Sequence, residues 1–205
     1  MENLEGRILI FAKAPISGRV KTRLLSSLNV ERVTDLYKKL MIHTLKIVTR
    51  AAVGSIELWC TPTTDHPFFL HCAKRFKVSL RSQIEGDLGR RMAHAFEETL
   101  KQVPYGILIG TDCPSLTETD LKEAKETLIQ GTPAVLIPAE DGGYVLIGLR
   151  KYESFLFNGI SWGSSSVLEE TRTRLKKLGW QWRELEERWD VDRPEDVERL
   201  REVWP

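Results

Sequence analysis

Cysteine, long apolar runs and an excess of charge of either sign are all scarce in this sequence. Its three cysteines, Cys60, Cys72 and Cys113, form no C-x-x-C pair and no zinc-like spacing, so we expect reduced thiols and no structural zinc. The longest apolar runs have about the length of a strand, far short of the roughly 20 residues that a membrane-spanning helix needs. The first residues are acidic and lack the apolar core of a signal peptide, which predicts a cytoplasmic protein without a membrane partner.

The balance of charges excludes a further class of partner. Thirty Lys and Arg stand against 29 Asp and Glu, a net charge of +1, so we expect no broad attraction to nucleic acid. Two catalytic motifs are also absent, the Walker loop G-x-x-x-x-G-K-[ST] and the hydrolase elbow G-x-S-x-G. The sequence therefore does not support a P-loop nucleotide site or a serine-hydrolase triad.

What the sequence does contain is a regular alternation of short apolar segments and segments with helical spacing. Alternating or continuous apolar residues predict strands, and apolar residues three and four apart predict helices. The predicted strands are 7–12, 55–60, 78–81, 106–110, 132–139, 144–149 and 180–185; the predicted helices are 29–50, 66–76, 87–102, 117–130, 164–178 and 194–203. This order indicates an α/β fold in one domain, 1–205, with a mostly parallel sheet covered by helices on both faces. Ligands of such sheets bind at the carboxyl ends of the strands.

A basic loop follows the first predicted strand. The segment "FAKAPISGRVKTRL" carries Lys13, Arg19, Lys21 and Arg23 within eleven residues, and Gly18 permits close approach of the backbone to a ligand. Lys21 and Arg23 lie where the chain is expected to enter a helix, whose free N–H groups favour an anion. The alternative is a solvated loop decorated with long basic side chains. We favour phosphate binding.

Two acidic segments are candidates for holding a divalent cation. "GILIGTDCPSL" delivers Asp112 to the end of an apolar strand, where a hard cation beside a diphosphate needs few protein oxygens. The alternative for Asp112 is a turn in which it satisfies backbone donors. In "ERWDVDRPEDVERL", Asp190 and Asp192 lie on one face of an extended segment. Either is a possible second metal ligand, and Asp192 is equally a possible cap of the last helix.

Two glycine-containing segments are more ambiguous. "PAEDGGYVLIGL" places Asp141, Gly142 and Gly143 between two strands, as a sugar site or as an ordinary hairpin turn. "SQIEGDLGRRM" precedes a helix, and its glycines can hold a base or ribose, whereas its Asp87 can simply cap that helix. The residues alone favour neither alternative for the first segment and favour capping for the second.

Taken in order, five segments resemble one family. "FAKAPISGRVKTRL", "GDLGRRM", "GTDCPSL", "DGGYVLIGL" and "DVDRPED" are similar to segments of small GT-A-like glycosyltransferases, or nucleotide-diphospho-sugar transferases, including a branch assigned to arsenosugar biosynthesis. Molybdenum-cofactor and phospholactate guanylyltransferases are related to that family. The resemblance spans roughly residues 7 to 200 and implies a Rossmann-like GT-A fold.

The resemblance also implies roles for particular residues. It implies that Asp112 binds an Mg²⁺ or Mn²⁺ ion, for which the alternating pattern offers Asp190 or Asp192 as a second ligand. For a transferase with such a site, the catalytic candidates are Asp112, Asp141 and Lys21. The implied nucleotide-binding residues are Ala12, Lys13, Gly18, Lys21, Arg23, Gly86, Asp87, Gly89 and Thr111; the implied sugar or acceptor residues are Asp141, Gly142, Gly143, Tyr144 and Trp162.

Three functions are consistent with these segments. The first is transfer of a sugar from a nucleotide diphosphate sugar to a small acceptor, with a metal ion, Lys21 and Arg23 stabilising the departing diphosphate. In that reaction Asp141 accepts the proton of the acceptor hydroxyl. The second is nucleotidyl transfer from a nucleoside triphosphate to a phosphorylated small molecule. The third is a nucleotide-sugar-binding protein without turnover.

Overall fold

One seven-stranded sheet runs through the molecule. The structure is a computed structural model that describes residues 5–204. The strand order is β3-β2-β1-β4-β6-β5-β7, and β6 alone runs antiparallel to its neighbours β4 and β5. The strands are β1 (Gly6–Lys13), β2 (Gly54–Thr61), β3 (Ser79–Ser82), β4 (Gly106–Ile109), β5 (Ala134–Pro138), β6 (Tyr144–Leu149) and β7 (Trp182–Glu184). The expected α/β fold with a mostly parallel sheet is confirmed.

Six α-helices connect the strands among residues 5–204. They are α1 (Val30–Ala51), α2 (Pro67–Phe76), α3 (Leu88–Leu100), α4 (Glu118–Ile129), α5 (Val167–Lys177) and α6 (Pro194–Val203). Side-chain caps fix several starts: Asn29 Oδ1 accepts the Arg32 N–H at 2.9 Å, and Thr117 and Asp120 form a reciprocal capping box. Each predicted helix is therefore present, with ends that differ by a few residues; α6 matches its prediction at both ends.

One local expectation is wrong. The basic loop does not enter a long helix, because the residues after Lys21 form a 3-10 helix of five residues, Thr22–Ser26, before α1 begins at Val30. A turn this short offers no strong helix dipole. Any attraction of the loop for an anion therefore has to come from its side chains.

Alternating residues of β1 separate the two faces of the sheet. Ile8 and Ile10 pack beneath α1, α2 and α4, while Leu9 packs beneath α3 and α5, and all three side chains are fully buried. Burying a side chain of this size contributes about 1.5–3 kcal/mol. A smaller third cluster joins α6 to α1 and the 3-10 helix through Leu24, Val33 and Leu200.

The carboxyl ends of β1, β4 and β5 lie along one edge of the sheet. Because β6 is antiparallel, its amino end, Tyr144, lies at that edge too. A bridge between Ala139 and Arg188 carries the chain that follows β7 along the same edge. Four loops therefore meet there. Among residues 5–204, no helix has the length and apolar character needed to cross a bilayer.

Candidate functional site

A tyrosine of α1 forms hydrogen bonds with the backbone at the end of β1. The Tyr37 hydroxyl accepts a hydrogen bond from the Lys13 N–H at 2.9 Å and donates to the Lys13 carbonyl, also at 2.9 Å. Burial raises the pKa of Tyr37 to about 12, so its hydroxyl stays protonated. Tyr37 thereby satisfies both backbone groups of Lys13 on the side where the pairing of β1 with β4 has already ended, at Ile10 and Ile109, while Lys13 still lies opposite Thr61 of β2.

Lys21 turns inward from the basic loop. Its backbone is left-handed at φ 45°, and its ammonium Nζ lies 2.7 Å from Asp112 Oδ2 and 3.5 Å from Asp192 Oδ1. The Lys21 side chain is only 8% exposed. Burial lowers the pKa of this lysine, but the carboxylates of Asp112, Asp192 and Asp190 outweigh burial and raise it overall. Lys21 is therefore a fixed positive charge that links the basic loop to the loop after β4, through Asp112, and to the loop after β7, through Asp192.

The loop after β7 is pinned to the loop after β4. The Ser115 hydroxyl donates to the Trp189 carbonyl at 3.0 Å and accepts the Trp189 N–H at 3.1 Å. The Val191 N–H donates to the Asp112 carbonyl at 2.9 Å. These three bonds fix the backbone on either side of Asp190, and they bring Asp190 and Asp192 beside Asp112.

The two alternatives for Asp192 are separated by its partners. The Asp196 side chain, not Asp192, accepts the N–H groups at the start of α6, from Asp192 at 2.9 Å and Arg193 at 2.6 Å. The carboxylate of Asp192 is paired instead with Arg23 and Lys21. Asp192 therefore belongs to the site and does not cap the helix.

Asp190 is the most strongly perturbed carboxyl group at this edge of the sheet. Burial is the largest cause, and together with the neighbouring charges of Asp112, Asp141 and Asp192 it raises the pKa of Asp190 to about 7, with Lys21 acting in the opposite direction. The group is therefore partly protonated at neutral pH. Perturbed carboxyl groups of this kind are concentrated at functional sites.

A first cavity, which we call the basic cavity, opens above β1 and β4 with a volume of about 390 Å³. Five cationic side chains line it against two carboxylates, Asp112 and Asp192: Lys13, Arg19, Lys21, Arg23 and Arg91. Within residues 5–204, the buried Arg91 Nε has no hydrogen-bond partner. A buried donor without a partner indicates a missing acceptor, which in a cationic cavity fits an anion.

A second cavity, which we call the acidic cavity, adjoins the first and has a volume of about 280 Å³. Asp112, Asp141 and Asp190 line it together with Phe11, Leu88, Met92, Tyr144, Trp162 and Val145. Phe11, Leu88, Gly110 and Asp112 line both cavities. Asp112 is therefore the carboxylate at the junction. Its side chain is paired with Lys21, and among the described residues it accepts no hydrogen bond from the backbone donors of the turn that was the alternative.

The predicted sugar segment is a hairpin turn and also a wall of the acidic cavity. Asp141 Oδ1 accepts the Gly143 N–H at 2.8 Å, which makes an Asx-type turn between β5 and β6. Gly142 adopts φ 89°, and a Cβ there would lie 2.2 Å from the Ser165 carbonyl oxygen. The hairpin-turn alternative is observed, and the tight turn brings Asp141, Gly143 and Tyr144 to the cavity; a sugar-binding role for this segment stays a prediction.

The second glycine segment is mainly structural. Asp87 Oδ1 accepts the Arg90 N–H at 2.8 Å and caps α3, as its residues alone favoured. A Cβ on Gly89 would lie 2.3 Å from Trp162 Nε1, so this glycine allows Trp162 to pack on the helix. None of Gly18, Gly86, Asp87 and Gly89 is among the described residues lining the basic cavity, whereas Ala12, Lys13, Lys21, Arg23 and Thr111 are.

Sequence reasoning missed several lining residues. Leu88 and Arg91 face the basic cavity from the first turn of α3, and their spacing of three residues was the available signal. Gln83 lines the same cavity, and its side-chain amide donates to the Trp59 carbonyl at 2.7 Å. Nothing in the local sequence around Gln83 distinguishes it from a surface residue. Its place depends on the pairing of β2 with β3.

The carboxylates of the site do not form a complete protein cage for a metal. Across residues 5–204, no group of three or more His, Cys, Asp or Glu side chains has the geometry to hold a metal ion. Asp112 lies at the junction of the two cavities, with Asp192 on one side and Asp190 on the other. This donor set suits a hard cation that takes one or two protein oxygens and completes its shell with substrate oxygens and water.

Comparisons with known proteins agree with this architecture. A family model described as "Uncharacterized protein conserved in bacteria (DUF2064)" matches residues 44–164. A crystal structure from Desulfovibrio desulfuricans G20, provisionally named a nucleotide-diphospho-sugar transferase, is 28% identical with a TM-score of 0.83, over 92% of this chain and 82% of that chain. No curated protein sequence matches significantly.

More distant structures share the fold. Glucosyl-3-phosphoglycerate synthase from Mycobacterium tuberculosis, solved with Mn²⁺, UDP and glucosyl-3-phosphoglycerate, has a TM-score of 0.60 at 10% identity, over 95% of this chain and 75% of that chain. 4-Diphosphocytidyl-2C-methyl-D-erythritol synthase from Anaerococcus prevotii DSM 20548 has a TM-score of 0.64 at 12% identity, over 97% and 96%. These neighbours are transferases, and the expected GT-A-like fold is confirmed.

Proposed function

We propose that this chain, which belongs to the bacterial family DUF2064, is a transferase that moves a sugar from a nucleotide diphosphate sugar to a small acceptor. One observation carries the proposal. A cationic cavity and a carboxylate-lined aromatic cavity meet at Asp112, at the carboxyl edge of the sheet. The provisional name of the structure that is 28% identical is further support.

The basic cavity is suited to a diphosphate. Arg19 and Arg23 are exposed side chains on its rim, while Lys21 is buried at its base and Arg91 has a buried, unpartnered Nε within the described residues. Guanidinium groups grip phosphate oxygens in a bidentate way, and an ammonium acts as a point charge. As negative charge develops on the departing diphosphate, these groups stabilise it without having to be moved into position.

A divalent cation fits the same site as an assisting group. Asp112, with Asp190 or Asp192, would hold Mg²⁺ or Mn²⁺, and the ion would neutralise charge on the diphosphate oxygens when bound. The related fold of glucosyl-3-phosphoglycerate synthase holds Mn²⁺ together with UDP. Lys21 supplies positive charge at Asp112 independently of any ion, because its Nζ is 2.7 Å from Asp112 Oδ2.

The acidic cavity is the place for the acceptor. An acceptor hydroxyl oxygen forms the new bond to the anomeric carbon of the sugar, the bond from that carbon to the diphosphate oxygen breaks, and its electron pair leaves with the diphosphate. The hydroxyl proton passes to a carboxylate, for which we propose Asp141. Its Oδ1 already accepts the Gly143 N–H, which fixes the carboxylate and leaves Oδ2 for the acceptor.

The test of donor binding is a thermal-shift panel. Nucleoside triphosphates and nucleotide diphosphate sugars are each measured with Mn²⁺, with Mg²⁺ and with chelator. A ligand at about a hundred times its Kd stabilises the fold by roughly 2.7 kcal/mol, a readily measured change in midpoint. We expect a metal-dependent shift with one diphosphate sugar and with its diphosphate. A shift with a triphosphate alone would favour nucleotidyl transfer, and the absence of any shift would contradict the proposal.

Asp112→Asn tests the catalytic role of the carboxylate that lines both cavities. We expect transfer to fall at least about a hundredfold, the usual cost of losing one electrostatic group at a reacting centre. The fold should survive, because Asp192 still lies 3.5 Å from the buried ammonium of Lys21. Asp35→Asn, at a carboxylate in the second turn of α1 that is 68% exposed and lines neither cavity, is the matched control. Full activity of the Asp112 variant would rule out this role.

A further inference from the structure

The acidic cavity contains negative charge without positive charge. Of the described residues that line it, none is Lys, Arg or His, whereas three are aspartates. The adjacent basic cavity has five cationic side chains. Two neighbouring spaces at one sheet edge therefore have opposite electrostatic character, and they cannot favour the same kind of chemical group.

Two of the three carboxylates are not neutralised by an ion pair. Asp112 is paired with Lys21, but in the part of the chain from 5 to 204 neither Asp141 nor Asp190 forms an ion pair with a basic side chain. Asp141 is held by the backbone N–H of its own turn. A ligand in this cavity consequently faces the carboxylate of Asp141 and the partly protonated carboxyl group of Asp190, and among the described residues no basic side chain is paired with either.

The remaining wall of the acidic cavity is apolar and aromatic. Phe11, Leu88 and Met92 form one side, and Tyr144 and Trp162 contribute two further rings. Aromatic walls select flat or apolar faces of a ligand. The volume of about 280 Å³ is just below the range for ligand pockets, roughly 300 to 1,000 Å³, so the cavity suits a group about the size of one ring.

A third space adjoins the acidic cavity and is also lined by more carboxylates than basic side chains. A polar space of about 470 Å³ continues from Asp141 and Asp190 toward the start of α6. Six carboxylates and two arginines line it: Glu140, Asp141, Asp190, Asp192, Glu195, Asp196, Arg23 and Arg193. Arg23 is already paired with Asp192, and Glu140 is paired with Arg199, which leaves four carboxyl groups against Arg193. An acceptor approaching from this side therefore meets an excess of negative charge.

From these observations we infer that the acceptor is a hydroxyl-bearing ring compound that is neutral or cationic and carries no phosphate or carboxylate. This inference rests on the proposed function, because it names the chemical class of the group that receives the sugar. An anionic acceptor would lie against Asp141, a carboxylate outside the proposed cation site that no ion pair neutralises, in a partly desolvated space where like charges repel strongly. The arrangement therefore disfavours transfer to a phosphorylated partner.

A series of matched ring compounds tests the charge preference. Tyramine, tyrosol and 4-hydroxyphenylacetate share a phenol ring and differ mainly in an ammonium, a hydroxyl or a carboxylate. Binding of each is measured by ligand-observed NMR titration, with the nucleotide diphosphate that gives the largest thermal shift, or without nucleotide if none does. We expect tyramine and tyrosol to bind at least about tenfold more tightly than 4-hydroxyphenylacetate, a difference that corresponds to one charged contact.

Two results would overturn the inference. Equal or tighter binding of the carboxylate compound is one, and absence of binding by all three at millimolar concentration is the other. Neither result depends on donor binding, which the thermal-shift panel measures separately. A protein that binds a diphosphate sugar but prefers the anionic ring would contradict the acceptor class alone. Absence of any nucleotide shift would contradict the proposed function and, with it, the role of the cavity as an acceptor site, whatever the charge preference measured.

A pair of neighbouring substitutions locates the preference in the cavity. Ser164 is exposed and lines the acidic cavity, whereas Ser166, two residues on, is exposed and does not; the two hydroxyls share a hydrogen bond of 2.8 Å, so each substitution removes it. Ser164→Lys should reduce the preference against 4-hydroxyphenylacetate by about tenfold, because it adds the missing cation. Ser166→Lys should leave it unchanged. Equal effects of both variants would contradict a preference set in the cavity.

Discussion

Among residues 5–204, three residues other than glycine have left-handed backbone: Lys21, Ala52 and Lys77. Ala52 and Lys77 directly follow α1 and α2, where this conformation returns a backbone N–H to a carbonyl of the last turn, to Val48 and to Ala73. Lys21 ends no helix. Its left-handed turn directs a buried ammonium at Asp112, so the strain at this residue coincides with the site.

At the left-handed positions after helices, substitution by glycine and substitution of glycine should change the free energy of unfolding in opposite directions. Ala52→Gly should increase the free energy of unfolding by about 0.5–1 kcal/mol, because glycine adopts this conformation without steric cost. Gly179, at φ 65° after α5, has no atom within 4 Å of where a Cβ would be. Gly179→Ala should therefore lower the free energy of unfolding by about 1–2 kcal/mol through backbone strain alone. Urea denaturation measures both, and changes of the same sign would contradict the account.

At the scale of elements, one ion pair ties a helix start to the loop that carries two site aspartates. Arg188 Nε lies 2.9 Å from Asp120 Oδ2, and Arg188 Nη2 lies 2.8 Å from Asp120 Oδ1. The side chains are 17% and 8% exposed. Asp120 is also half of the capping box of α4, so one carboxylate fixes both the helix start and the segment that precedes Trp189.

Removing one partner of this pair should be costly. Arg188→Ala should lower the free energy of unfolding by about 3 kcal/mol, because it leaves a buried carboxylate without its cation. Donor affinity should fall as well, since Asp190 and Asp192 follow in the same segment. Lys101→Ala, which removes ion pairs on an exposed helix end, is the control and should change stability by less than about 1 kcal/mol. Urea denaturation and the thermal-shift panel measure the two effects.

Some elements were predictable from the local sequence, and others depend on contacts that are distant in the chain. The start of α1 was predictable because Asn29 caps it locally, and Pro194 fixes the start of α6. The 3-10 helix after Lys21 was not, because its residues have no strong turn signal and are held by packing of Leu24 against the third cluster. The candidate residues at strand ends were predictable, whereas the contact of Lys21 with Asp112, across 91 residues, required the sheet order.

At the scale of the whole molecule, the sheet joins every part of the described chain. β1 lies between β2 and β4, and β6 lies between β4 and β5. The hydrogen-bonded sheet is therefore continuous and does not divide into two separate sets of strands. Both major clusters extend across this sheet, and each combines residues from the first half of the chain with residues from the second. We therefore propose that the chain is one cooperative domain, as its length and pattern predicted.

Calorimetry tests this unity. We expect a single thermal transition in which the calorimetric enthalpy equals the van't Hoff enthalpy, because neither half of the sheet can bury its clusters alone. A saturating nucleotide diphosphate should move the whole transition upward without splitting it. Two resolved transitions, or a ligand shift confined to part of the heat absorption, would show that the chain unfolds in separate units.

The contact of Arg23 with Asp192 has a consequence for how the protein matures. The two residues lie 169 positions apart along the chain, and at about 5–20 residues per second a ribosome needs on the order of ten to thirty seconds to deliver the second after the first. Asp112, the partner of Lys21, is synthesised 91 residues after it, so Lys21 can be paired well before Arg23. Arg23 lacks its carboxylate partner until Asp192 is made. The proposed diphosphate site is thus completed late in biosynthesis.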